Sequence, residues 1–507
     1  MQNVFVAWNY SFDASKGLYF VEPLRDATEY SIASIDASGG QDGFRYGEAF
    51  RPSINSYQFS NARAIANIAA LNNLTNITDE YNKRAAEIKQ NLQNQLWNST
   101  YQHFIDRHQA ENNFVKYFDF IRGRELVGYV PWAHDLPDDN KVYAQAWKHI
   151  LDTNELRAPY GLRTVEPTYE YYMRQYRYEG TRPECQWNGP IWPFHTTLVL
   201  TGLGNFLDHY TTTGLVNTSD FISLLRNYTQ LHYNYGVLNL QENYDPATGN
   251  PIVGLVRSPH YFHSGYVDII LNQLVGIRAR ADDRLEINPL VDESIAYFRV
   301  EKVPYHGLQI SVQWDSTGNK YGVTGLVVEI NDAVVTTQSN VQRLIIPLAP
   351  SPPPAILRPI SKSTQPLTTT AYPRGNVSVP DQNIEEIHDA IDGRVQFFTE
   401  YINGWTTPVG NGVSELWYQV DFGNATEISR AEIAWFGDSG TFDVPTSYKI
   451  QVSKGWNWTD VSNATYAPSV SSGITHVSWG TETTQQVRLV FVPKNATRSR
   501  LVEFTLF

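Results

Sequence analysis

The sequence predicts a multidomain protein: an all-α N-terminal half carrying its chemistry on loops, then a small β-domain, then a C-terminal β-sandwich. Three observations predict this. At 507 residues the chain is longer than one hydrophobic core supports. Apolar residues recur with helical period from about residue 57 to 280, and after Asp283 they fall into short alternating runs. A proline-rich stretch, Ala349-Pro350-Ser351-Pro352-Pro353-Pro354, then interrupts all regular patterning.

Within the helical part, Ala62, Ile65, Ala66 and Ala69 share one face, as do Tyr81, Ala85, Ile88 and Leu92, and Phe221, Leu224, Leu225 and Tyr228. Thr78 before Asp79 and Glu80 predicts one capped helix start, and Thr218 or Ser219 before Asp220 predicts another. Pro190 suits the first turn of a helix running through Leu198 and Leu200 to Gly204. Between the helices lie long segments rich in Gly, Pro and aromatic residues. Leu308 to Trp314 and Leu326 to Ile330 read as strands of a small domain spanning 283–348 and ending near Pro347. Residues 349–366 read as a stiff Pro/Ser/Thr-rich linker. From 367 to 507, strands are predicted at Leu416 to Phe422, Ile428 to Phe436, Tyr448 to Ser453, Val487 to Val492 and Val502 to Phe507, at the spacing of a sandwich. No short internal repeat suggests a solenoid or propeller.

Composition removes several classes of function. A net charge of -13 without a basic block argues against nucleic acid as a partner, because phosphate binding needs concentrated Lys and Arg. With 12 His but no paired spacing, and a single cysteine, Cys185, the chain offers no zinc motif and no intramolecular disulfide. Neither a Gly-x-Ser-x-Gly elbow nor a phosphate-cradling glycine loop is present, so no metal or cofactor is expected. There is no apolar stretch long enough for a membrane span, and Met1 to Ser11 does not read as a signal peptide. Asn-x-Ser/Thr acceptors at Asn9, Asn73, Asn76, Asn98, Asn217, Asn227, Asn376, Asn424, Asn457, Asn463 and Asn495 nonetheless predict a secreted glycoprotein, with its export signal outside this chain. A monomer is expected.

The most informative residues are Trp187-Asn188-Gly189-Pro190-Ile191-Trp192-Pro193, with Glu242-Asn243-Tyr244-Asp245-Pro246 downstream and Asp26-Ala27-Thr28-Glu29-Tyr30-Ser31 upstream. Two carboxylates bracketing a Trp/Gly/Pro wall is the equipment of glycoside hydrolysis: an acid to protonate the leaving oxygen, a base to activate water, and aromatic faces to hold a sugar. The 13% aromatic content, including 31 Tyr and 13 Trp, supplies such faces, although most are expected in the core. Glu242 also reads as an ordinary turn glutamate, Glu29 and Asp26 as a structural acidic pair, and Trp187 and Trp192 as helix-start packing.

These segments stand in the order found in six-hairpin glycosidases. The other landmarks are Phe50-Arg51-Pro52-Ser53-Ile54-Asn55-Ser56-Tyr57, Gly123-Arg124-Glu125-Leu126-Val127-Gly128-Tyr129, Gly161-Leu162-Arg163-Thr164 and His263-Ser264-Gly265-Tyr266. From about Leu18 to Leu290 the chain resembles that family, which includes trehalase, processing α-glucosidase I and the mannosylglycerate hydrolases of glycoside hydrolase family 63, and most of all mannosylglycerate-hydrolase-like domains. The resemblance implies an (α/α)6 toroid over 1–282 and an inverting, exo-acting hydrolase of oligo- or polysaccharides. By the same resemblance Glu242 is the general base and Glu29 the general acid, with Asp26 the runner-up acid. Glu29 departs from the family's usual Asp by one methylene. Trp187, Asn188, Gly189 and Trp192 are implied as sugar-binding wall, with Arg51, Asn55 and Tyr57 as further lining or as cap and core residues. Because Glu29 lies so close to Met1, the toroid is expected to be N-terminally incomplete and poorly soluble.

In the tail, Asp389-Ala390-Ile391-Asp392-Gly393, Trp405-Thr406-Thr407, Trp417-Tyr418-Gln419-Val420-Asp421-Phe422-Gly423, Pro445-Thr446-Ser447-Tyr448-Lys449-Ile450 and Val487-Arg488-Leu489 resemble the coagulation factor 5/8 type C, or discoidin-like, family of jelly-roll sandwiches. That resemblance implies glycan binding through loops at one end, or else a structural cap. Two rival readings of the whole chain remain: a catalytically inactive, truncated carbohydrate-binding protein, and a lyase using Tyr244 or His263 as its base.

Overall fold

The structure is a computed structural model that describes all residues except 213, 235, 256, 257, 259, 262, 350–359, 366–370, 380–383, 398–402, 411–414 and 439. Most of the expected 349–366 linker therefore lies outside the described residues. The chain forms two compact units, Met1–Pro352 and Pro353–Phe507.

The first unit is built on α1 (Ile32–Ala37), α2 (Pro52–Leu71), α3 (Thr75–Leu96), α4 (Pro193–His209) and α5 (Thr218–Leu231). The helical faces expected from periodicity are the buried ones: Ala62, Ile65 and Ala66 on α2, Tyr81, Ala85, Ile88 and Leu92 on α3, and Phe221, Leu224, Leu225 and Tyr228 on α5. They pack with Trp132, Trp147 and Phe206 into one core, where each fully buried large apolar side chain contributes about 1.5–3 kcal/mol. A three-residue turn with Asn73 in left-handed conformation joins α2 to α3 as a hairpin.

The helix starts differ from expectation in three places. Thr78 lies within the first turn of α3, its hydroxyl donating to the Leu74 carbonyl, because the helix already begins at Thr75. Asn217 caps α5, in a reciprocal box with Asp220, because its side chain reaches the Ser219 and Asp220 amides. Pro193, not Pro190, opens α4; residues before it are extended, with Ile191 bridging Arg163 on one side and Tyr244 on the other.

After the helices come two antiparallel sheets. One has three strands, Ile277–Arg278, Arg284–Ile287 and Leu344–Pro347, and the other has four, Tyr297–Tyr305, Leu308–Asp315, Gly325–Ile330 and Ala333–Gln338. They share a core of their own around Ile287, Ile310, Val312, Leu326 and Val328. Although separable by periodicity, this region belongs to the same compact unit as the helices. Asp208 of α4 shows why: its carboxylate meets Arg278 at 3.0 Å and also pairs with Arg343.

The second unit is an eight-stranded antiparallel assembly dominated by Leu416–Phe436, Ser447–Lys454, Gly473–Val492 and Arg500–Leu506. The two runs expected at Leu416 to Phe422 and Ile428 to Phe436 are one long strand whose register shifts between Asp421 and Thr426. Trp405, Tyr418, Val420, Ile450 and Leu489 are fully enclosed, and the Tyr418 hydroxyl donates to the Ile387 carbonyl at 2.6 Å. The landmarks of the tail are thus core and turn residues. Among the described residues, no helix is long and apolar enough to cross a membrane.

Candidate active site

Glu29 sits on a loop fixed from three sides. The Thr28 amide donates to the Pro23 carbonyl, the Tyr30 amide donates to Gly43, and the Glu29 carbonyl accepts from the Trp187 amide at 3.2 Å. Tyr30 takes φ +62°, a left-handed conformation uncommon for a bulky residue, and stacks its ring on Tyr176 at 5.5 Å.

Glu242 belongs to a segment held by the residue two positions on. Tyr244 exchanges both backbone hydrogen bonds with Ile191, its hydroxyl donates to the Leu231 carbonyl at 2.7 Å, and that oxygen accepts from the Gln241 amide. Asp245 then closes a turn by accepting from the Ala247 and Thr248 amides. Glu242 is only 7% exposed, so it is no surface side chain, and Ser258 donates to its Oε2 at 3.3 Å.

Cys185 contacts Glu29. Its thiol donates to Glu29 Oε1 at 3.1 Å, and burial, the Glu29 charge and hydrogen bond, and then the Glu242 charge push its pKa up. The thiol therefore stays protonated and acts as a donor. Composition marked Cys185 only as a lone thiol; its place two residues before Trp187 was the one available signal of proximity to the site.

Asp26 faces elsewhere. It accepts from Ser53 at 2.6 Å and pairs with Arg51 at 3.3 Å, and burial raises its pKa against the opposing pull of Arg51. Arg51 is almost wholly buried, donating to Asp106 at 2.7 Å and to the Thr28 hydroxyl, with Glu125 at 3.8 Å. Burial alone would lower its pKa, but Asp106, Asp26 and Glu125 drive it up. Glu125 in turn accepts from the Ile32 amide at 2.9 Å. Arg51 and Glu125 thus hold the Glu29 loop at Asp26, Thr28 and Ile32. Burial lifts the Asp106 pKa to about 6, and burial with the Asp106 charge lifts that of Glu125 to about 8.

The residues expected to line a sugar pocket have internal tasks. Asn55 accepts from the Tyr19 amide and donates to the Tyr19 and Arg51 carbonyls, so it locks the start of α2. Asn188 donates to the Tyr171 and Arg174 carbonyls. Trp187 and Trp192 stack on each other at 3.9 Å and 9°, nearly fully buried, because each indole face satisfies the other, and Trp192 Nε1 donates to the Gln186 carbonyl. Tyr57, half-buried, feels the Asp26 charge and packs edge-on against His134. His195, on the first turn of α4, lies 4.6 Å from the Trp187 ring, and burial holds its pKa down to about 3.

Gly189 has a backbone requirement. At φ +143° it places a prospective Cβ 2.6 Å from the Tyr172 ring, while its amide donates to the Thr164 hydroxyl. Gly189→Ala is expected to cost about 1–3 kcal/mol of stability through this backbone strain and the added clash; a lowered thermal midpoint for the first unit checks it.

Residues 1–264 match the family described as the mannosylglycerate hydrolase MGH1-like glycoside hydrolase domain, more than half of the chain. The chain belongs to that family. Residues 377–504 match the F5/8 type C domain. A solved chain named a sialidase is similar to this family member at 31% identity and a TM-score of 0.61, over 68% of this chain and 30% of that one. This chain thus spans under a third of that relative. The GH63 mannosylglycerate hydrolase from Thermus thermophilus, solved with glucose, is 15% identical over 53% of this chain and 66% of its own, with a TM-score of 0.38. In this MGH1-like chain, Glu29 accepts from the Cys185 thiol, whereas Asp26 is tied to Arg51. Among the described residues no group of His, Cys, Asp and Glu is arranged to hold a metal ion.

Proposed function

We propose that this protein is a secreted glycoside hydrolase that cleaves O-glycosidic bonds of oligo- or polysaccharides from the chain end with inversion. The observation that carries the reading is the half-buried Cys185 thiol, which donates to Glu29 Oε1 at 3.1 Å and feels the Glu242 charge as well. Glu29, in its protonated form and positioned by the Cys185 bond to Oε1, gives its proton to the leaving oxygen and is left as the carboxylate. Glu242, oriented by Ser258 and by the Tyr244 anchor, takes a proton from the attacking water. The Trp187–Trp192 stack and Gly189 shape the wall behind the sugar.

The lyase reading loses its tyrosine, since the Tyr244 hydroxyl is buried between the Leu231 carbonyl and the Gln241 amide. The F5/8 type C domain supplies glycan binding, and the protein works as a monomer. None of the Asn-x-Ser/Thr asparagines is buried, which supports secretion.

The test is proton NMR of the first-formed sugar during hydrolysis of aryl glycosides and plant polysaccharides. Inversion gives the anomer opposite to the substrate's; the same anomer would overturn the inverting assignment. Glu29→Gln is expected to lose about 10²–10⁴-fold on substrates with poor leaving groups and far less on activated aryl glycosides, which need little protonation. Binding of polysaccharide without hydrolysis by the wild type would favour the non-catalytic reading.

A further inference from the structure

Beside α1 lies a cavity of about 480 Å3, lined among others by Asp36, His108, Phe114, Arg122, Glu170 and Tyr171. It falls in the size range of small-molecule sites, about 300–1,000 Å3. Its polar wall is joined by ion pairs and hydrogen bonds. Asp36, nearly buried, takes two bonds from Arg122, at 2.9 and 2.6 Å, and a third from the Tyr169 hydroxyl at 2.8 Å. Arg122 also donates to Glu170 at 3.2 Å, and both of these side chains remain more than half exposed.

The apolar wall is equally fixed. Phe114, 60% exposed, stands on a loop clamped by Asn112, which accepts from the Phe114 and Val115 amides and donates to the Ala37 carbonyl at the end of α1. The Phe114 ring lies directly on Gly39, where a Cβ would come within 2.6 Å of it. The Phe114 backbone is thus fixed through Asn112 while its ring packs on Gly39 and stays exposed on its other side.

We infer that this cavity is a binding site for one neutral sugar ring of a glycan chain, separate from the Glu29–Glu242 pair. An aromatic face beside planar, pre-oriented carboxylate and guanidinium groups matches the two sides of a pyranose, its C–H face and its vicinal hydroxyls. Three carboxylates, Asp36, Asp119 and Glu170, stand against two cations, Lys116 and Arg122, so an acidic sugar or a phosphate meets net repulsion. The choice of a sugar over another neutral polyol rests on the proposed function.

The position suits an extended substrate. Tyr171 lines the cavity, while its carbonyl accepts from Asn188 and the adjacent Tyr172 packs on Gly189. One loop thus borders both the cavity and the wall behind Glu29.

The experiment is peptide-resolved amide hydrogen exchange of the full chain with cellohexaose, mannohexaose, maltohexaose and xylohexaose in turn. At least one is expected to slow exchange in 36–41 and 112–122, with that protection lost in Phe114→Ala and in Glu170→Ala and kept in Glu242→Gln. Glu170→Ala guards against a disturbed loop in the first variant. Absence of protection there with all four sugars, or protection that survives both substitutions, would overturn the inference. Because exchange needs no turnover, a chain that fails to hydrolyse any glycoside still gives an answer, and binding by residues 377–504 is read from separate peptides.

Discussion

Replacing Glu242 by glutamine is expected to lower kcat by about 10²–10⁴-fold, with KM and melting temperature close to wild type. The side chain is 7% exposed, and glutamine keeps its shape and an oxygen able to accept from Ser258. The capacity to take a proton from water is removed. Tyr244 holds the segment through backbone bonds to Ile191 and through its own hydroxyl, neither of which uses the Glu242 side chain. The measurement is steady-state hydrolysis by wild type and variant on the best substrate found, with thermal unfolding alongside. A variant within about threefold of wild type would remove Glu242 from the reaction. A variant that lost both activity and melting temperature would instead make Glu242 a structural residue.

Replacing Arg51 by methionine is expected to cost about 3–5 kcal/mol, enough to unfold much of the first unit, because it leaves buried carboxylates without their shared cation. Asp106 and Glu125 are nearly inaccessible to water, and Asp26 only slightly less enclosed. The same cluster gives the protein a pH dependence. Glu125 is raised from an ordinary glutamate value to about 8, so the folded state holds a proton that the unfolded state releases. Its contribution is therefore complete below the unfolded value of about 4.5 and declines as pH rises toward 8. Thermal midpoints of wild type should fall across that window, and Glu125→Gln, which keeps the acceptor for the Ile32 amide, should flatten the fall. An equal slope in wild type and variant would place the titration elsewhere. Since the cluster holds Asp26, Thr28 and Ile32, loss of Arg51 should also reduce activity in whatever fraction stays folded.

Much of the fold was legible because burial follows periodicity. The faces built on Ala62 to Ala69, Tyr81 to Leu92 and Phe221 to Tyr228 point inward, since a helix stripe of that width has no other way to leave water. Helix starts were less legible. Thr218 and Ser219, the expected caps, lie inside the helix, and the chain's path makes Asn217 the cap. The long strand Leu416–Phe436 read as two because its irregularity after Asp421 breaks alternation without ending the pairing.

The candidate site divides along the same line. By itself the sequence determined the helical and strand-rich regions, the family resemblance, and the segments that carry Glu29, Trp187 and Glu242, because those depend on local pattern and motif order. Only the tertiary structure decided which side chains are available to a substrate. Asn55 and Asn188 stand in motifs yet fill their bonds with nearby carbonyls, Trp187 and Trp192 cover each other, and Cys185, unremarked in any motif, meets Glu29. Hydrogen-bond partners and ring faces are assigned between residues far apart in the chain, and spacing along the chain carries no record of them.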